Sequence, residues 1–217
     1  RRVEVCWCGH SFIRRAGEAF RDGGFAAQQR ELGVRHSWVS RGGLLLRQLD
    51  SLLQQATEKG CMPPPDIVVI HAGGNDMIPG GRVAVREALC EALARVRRRW
   101  PEASIFWSEL IPRGKWGLGV PTAAVNKSVG KLNASMERLL RGTPISTIRH
   151  HLLRGPLVDL RHIDGVHLSA KGSEVFIQTI LGAIDQEIRF RQGMGGEGEH
   201  RQLPPRPVAE MGATRVG

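Results

Sequence analysis

Five times along this chain a short β-favouring run passes, over links rich in glycine or proline, into a stretch with apolar residues at helical spacing. The runs are residues 3–8, 34–39, 66–70, 104–111 and 145–148. The helical stretches cover 12–20, 44–59, 82–100, 124–140 and 173–188. Parallel strands need a crossover long enough to hold a helix, whereas antiparallel neighbours need only a tight turn. Regular strand–helix alternation therefore predicts the α/β class: a parallel sheet with helices on both faces, in three α/β/α layers.

With 217 residues, 41% of them hydrophobic, the chain is long enough for one such domain with a sizeable core. The pattern places that domain at residues 1–190. Residues 191–217 are rich in Gly, Pro and charge, and are expected to form a disordered tail. Four Arg against three Glu leave the tail nearly neutral, so almost all of the net charge of +10 belongs to the domain. That charge admits a nucleic-acid partner, and equally a solvated basic surface. Arg86, Arg95, Arg97, Arg98 and Arg99 surround the apolar stripe Val85, Leu89, Ala92, Val96 and Trp100; they read first as a solvated helix end complementing the dipole.

No apolar run approaches the length needed to span a bilayer, so no membrane span is expected. No charged-then-apolar leader precedes the first strand, and the chain starts almost inside that strand, as a piece of a longer product would. Cys6, Cys8, Cys61 and Cys90 have neither a secreted-scaffold pattern nor a Cys-x-x-Cys spacing. They are expected to be buried reduced thiols, which favours an intracellular compartment.

Three separated segments carry side chains suited to chemistry. Gly9-His10-Ser11 closes the first strand and opens a helix. There Ser11 is either an N-cap or a hydroxyl presented at the sheet's carboxyl edge beside unpaired helix N–H groups. The run 66–70 ends in His71-Ala72-Gly73-Gly74-Asn75-Asp76, which is ordinary turn chemistry or a loop that brings the Asn75 amide to the same edge. Asp164-Gly165-Val166-His167 lets a carboxylate reach one imidazole nitrogen while the other faces a serine hydroxyl. Candidate donors to an oxyanion are the N–H of Ser11, the N–H of Gly43 and the amide of Asn75. Trp116, in the glycine-rich stretch 113–119, either lines a pocket or packs beneath it. His71, His150, His151 and His162 show no metal-ligand spacing and are expected to be structural or surface residues.

These segments, with Gly42-Gly43, resemble the four ordered blocks of the SGNH hydrolases, also called GDSL esterases and lipases. The resemblance spans about residues 3–188. It implies a flavodoxin-like fold and hydrolysis of a small-molecule carboxylic ester without metal or cofactor. By the resemblance Ser11 is the nucleophile, His167 the base and Asp164 its orienter, while Gly43 and Asn75 are oxyanion donors, with Gly42 an alternative to Gly43. A small acyl group is the first expectation, and the sequence leaves lipid, acetylated sugar and thioester substrates open. His10 departs from the family, which usually has Asp there. Chains altered in this way also resemble hydrolase-like segments in reading frames of vertebrate mobile elements. A competing expectation follows: a lapsed hydrolase fold binding nucleic acid through Arg97, Arg98 and Arg99.

Overall fold

The computed structural model describes residues 2–155 and 159–193. The expected tail thus lies, from residue 194 on, outside the described residues. Five strands, β1 (Val3–Gly9), β2 (Val34–Ser40), β3 (Ile67–His71), β4 (Ser104–Ser108) and β5 (Ile145–Ile148), form one sheet. Its order is β2-β1-β3-β4-β5, and every pairing is parallel. This is the flavodoxin-like order, in which the chain reverses direction across the sheet between β1 and β3; crevices at such reversal points are where open α/β sheets bind ligands.

Among the described residues six α-helices accompany the sheet: α1 (Ser11–Asp22), α2 (Phe25–Glu31), α3 (Leu49–Glu58), α4 (Met77–Arg99), α5 (Thr122–Leu140) and α6 (Ala170–Arg191). Successive strand side chains point to opposite faces, so the sheet feeds two cores. Val5, Trp7, Ile67, Val69 and Phe106 pack with residues of α1 and α6. Cys6, Cys8, Val68, Ile70, Ile105 and Trp107 pack with residues of α3, α4 and α5. A sheet covered on both sides needs apolar residues at consecutive positions, and all five residues of β3 are buried. The three-layer α/β/α fold is therefore the one expected.

Several local expectations are corrected. The serine at the start of α1 is not the N-cap: His10 occupies that position, extended, with its Nδ1 accepting a hydrogen bond from the N–H of Phe12 at 3.4 Å. The stretch 44–59 opens with a 3-10 turn, Leu46–Gln48, before α3. α4 begins at Met77 and kinks at Gly81, whose φ of 65° breaks the helical path. β4 ends at Ser108; Leu110 and Ile111 are buried beyond the sheet ladder. Only Cys6 and Cys8 are buried, because they face α3 and α4 from β1, whereas Cys61 lies in the turn after α3 and Cys90 on the outer side of α4.

Candidate active site

β1 delivers its last residues to the reversal point. Gly9 packs so closely on β3 that an added Cβ would stand 2.0 Å from the carbonyl oxygen of His71, so only glycine fits. The turn that follows places Ser11 as the first residue of α1, where the helix has unpaired N–H groups. Ser11 Oγ lies 2.8 Å from His167 Nε2. His167 Nδ1 in turn lies 2.8 Å from Asp164 Oδ2. Residues 156 positions apart in sequence thus form one serine–imidazole–carboxylate chain of hydrogen bonds.

The loop bearing Asp164 and His167 is self-braced. Asp164 Oδ1 accepts the N–H of Val166 at 2.8 Å and of His167 at 2.9 Å. Desolvation works against the charge on Asp164, but these N–H groups and the His167 ring outweigh it and hold the carboxyl well below the usual carboxylate range. Two further groups face the same carboxylate: Arg15 Nη2 at 3.4 Å and His162 Nδ1 at 3.0 Å. His162 is an exposed residue, as expected, yet it sits against the site. Arg15 was legible only as the residue one turn along α1 from Ser11.

Asn75 follows β3 in a 3-10 turn, Gly74–Asp76. Its Nδ2 donates to the carbonyl of Leu44 at 3.1 Å, and its Oδ1 accepts from Arg113 Nη2 at 3.1 Å. Asp76 accepts the N–H of Leu46 at 3.2 Å, so the loops carrying Gly43 and Asn75 are stapled together. Gly43 itself has a φ of 68°, with open space where a side chain would stand. Its turn is tied toward Ser11 by the N–H of Arg41 donating to the carbonyl of Gly9 at 3.1 Å. Ser11 at the start of α1, and Gly43, Asn75, Asp164 and His167 on loops and turns, therefore lie at the sheet's carboxyl edge.

Arg113 carried no expectation of its own beyond membership of a pocket-forming loop, and only its place just past the end of β4 marked it. It is 9% exposed, and burial lowers its guanidinium from the ordinary value to about 10. Trp116 packs beneath it, 8% exposed, with its ring 4.5 Å from the guanidinium carbon. Arg113, Arg161, His162 and Gly165 share the wall of a cleft of about 820 Å³ beside the loop of Asp164 and His167; Ser11 is not in its lining.

His10 is 1% exposed, edge-on to both Phe12 and His71. Burial, then the nearby His71 and Arg113, push its imidazole well below the ordinary value. It is neutral, and its Nδ1 stays an acceptor. His71 and His150 are buried and share the hydroxyl of Ser108, at 2.9 and 2.7 Å. Among the described residues no three His, Cys, Asp or Glu side chains are grouped to hold a metal. Nor is any helix among them long and apolar enough to cross a membrane. The basic end of α4 is engaged locally, with Arg97 donating to the carbonyl of Ala103 at 2.8 Å and Arg99 pairing with Asp50 at 3.0 Å.

The family model of the GDSL-like lipases and acylhydrolases matches residues 4–175. No curated protein matches the chain in sequence. Solved structures match it in fold. A crystal structure of a member of the lipolytic G-D-S-L family from Veillonella parvula aligns with a TM-score of 0.68 and 12% identity, covering 85% of this chain and 99% of that one. A GDSL-like lipase from Bacteroides thetaiotaomicron aligns at 0.65 and 17% identity, covering 85% and 88%. A carbohydrate esterase of family 3 from Talaromyces cellulolyticus aligns at 0.62 and 16% identity, covering 87% and 99%.

Proposed function

Because the chain belongs to the GDSL-like lipase/acylhydrolase family, we propose that it is a serine esterase in which Ser11 attacks a carboxylic ester. The observation that carries this reading is the pair of 2.8 Å contacts linking Ser11 to His167 and His167 to Asp164. His167 takes the proton of the Ser11 hydroxyl as the oxygen attacks, and Asp164 steadies the imidazolium that forms. The carbonyl oxygen becomes an oxyanion facing the N–H of Ser11, the N–H of Gly43 and the second N–H of the Asn75 amide. Collapse of the tetrahedral state expels the alcohol, which leaves with the proton from His167. Water, deprotonated by the same ring, then releases the acyl group.

The bordering cleft gives room for one part of the ester, and small acyl groups, lipids and acetylated sugars are the classes it would be tried with. The test is turnover of p-nitrophenyl acetate and octanoate by the native protein and by Ser11→Ala. Loss of about 10⁴-fold or more in the variant is expected. Equal turnover by the two proteins would remove the serine mechanism.

A further inference from the structure

Arg113 is a buried cation, and among the described residues no carboxylate is paired with it. Its partners are instead a ring and an amide: Trp116 lies beneath the guanidinium at 4.5 Å, and Asn75 Oδ1 accepts from Nη2 at 3.1 Å. We infer that Arg113 is a positioning residue for the oxyanion pocket, fixing the Asn75 amide with its N–H toward the reacting carbonyl. The inference rests on the esterase reading above.

Two contacts set the amide's orientation, and they agree. A guanidinium only donates, so the atom facing Arg113 must be the oxygen; a backbone carbonyl only accepts, so the atom facing Leu44 must be the nitrogen. A flipped amide would lose both bonds and set two donors against each other. With Oδ1 held by Arg113 and one Nδ2 hydrogen held by Leu44, the second Nδ2 hydrogen is the group left for an oxyanion. The positive charge on the carbonyl end also polarises that N–H, which strengthens it as a donor.

The guanidinium is itself held from behind. Asn126 of α5 accepts the backbone N–H of Arg113 at 3.0 Å and the indole N–H of Trp116 at 2.7 Å, and donates to the carbonyl of Arg113 at 2.7 Å. One asparagine thus fixes both the backbone of Arg113 and the ring it lies on. The approach to Asn75 also accounts for Gly74: a Cβ there would stand 2.7 Å from Arg113 Nη2 and 3.3 Å from His10 Nε2. A side chain at 74 and the Arg113–Asn75 bond exclude each other. A rigid support of this kind suits an oxyanion donor, whose value depends on being in place before the charge develops.

The decisive experiment is a double-mutant cycle on ester turnover with Arg113→Met, Asn75→Ala and the pair. Arg113→Met should lower kcat by about 10- to 10³-fold, with KM changed less than about 3-fold, because the amide acts in the transition state. In the Asn75→Ala background the same change should cost less than about 3-fold more, since its target is already gone. Arg113→Lys keeps a donor but not the planar stack, and should fall between the native protein and Arg113→Met; it carries the comparison if the methionine variant does not fold. Full additivity in the double variant, or an unchanged kcat in Arg113→Met, would overturn the inference. A second readout needs no turnover: the Asn75 side-chain amide, observed by ¹⁵N NMR, should lose its protection from hydrogen exchange in Arg113→Met. Unchanged protection overturns the inference too. A native protein without esterase activity whose amide is nevertheless released by Arg113→Met would sink the esterase reading and leave the positioning role standing.

Discussion

Lowering the pH to about 5.5 should cost this protein much of its folding stability, because the fold keeps four imidazoles neutral. Burial lowers His36 to about 4 and His71 to about 3, and holds His10 and His150 well below the ordinary value. In the unfolded chain the same rings take up protons below about 6.5. The unfolded state then binds more protons than the native one, so stability present at neutral pH is lost as the pH falls through that value. His36 and His71 each cost about 1.4 kcal/mol at pH 5.5, about 3 kcal/mol together, and His10 and His150 add to the loss in the same direction. Typical domains have only about 5–15 kcal/mol in total. Asp164 does not contribute in this window, since a carboxyl held low by the fold gives up its share only below about pH 4. Urea unfolding followed by the fluorescence of the fully buried Trp7 and Trp107 measures the loss. The free energy should be flat from about pH 8.5 to 7.5 and then fall steeply toward 5.5. A difference below about 1.4 kcal/mol between pH 7.5 and 5.5 would refute the reasoning, because a single ring kept neutral already requires that much. Replacing His36 by glutamine, which keeps a polar partner for Trp7, should remove about 1.4 kcal/mol of the loss between pH 7.5 and 5.5.

Asn75→Ala should lower kcat by about 10²–10³-fold, far less than loss of Ser11, as steady-state kinetics would record. Asp76→Ala frees the N–H of Leu46 and loosens the staple between the loops of Gly43 and Asn75. It should cost about 1–3 kcal/mol in urea unfolding and lower kcat more than it raises KM. Gly9→Ala forces β1 and β3 apart at the His71 carbonyl and should lower the thermal midpoint sharply, by several degrees or more, in a calorimetric scan.

The sheet was legible because strands buried on both faces leave nearly continuous apolar runs, as in Ile67–His71. The same logic misled at β4, where Leu110 and Ile111 are buried without being paired in the sheet. The helix α2 gave no signal: it buries none of its residues and so carries no stripe. The start of α4 was masked by Pro79, Gly80 and the kink at Gly81. Ser11, Asn75, Asp164 and His167 were legible because their residue types, each at a strand or helix end, belong to one recognisable chemistry. Arg113 was not, because its role comes from a contact across 38 residues, with an amide whose own orientation only the folded chain fixes.

His10 and Arg113 are best understood together. Where the family usually has an acid, this chain has a neutral ring that still accepts the N–H of Phe12, so the start of α1 keeps its cap. If Nδ1 accepts, the proton of the ring resides on Nε2, and that buried atom has no hydrogen-bond partner. It lies beside Gly74, on the same side as the Arg113 guanidinium. An aspartate at this position would bring a negative charge near Arg113 and compete for its donors. A neutral histidine brings none, and the cation that depresses the ring also helps to keep it neutral. Arg113 is thereby left to the Asn75 amide. The departure from the family pattern thus leaves the serine loop capped and, among the described residues, the guanidinium uncompensated by a carboxylate, the condition under which its donation to Asn75 is strongest.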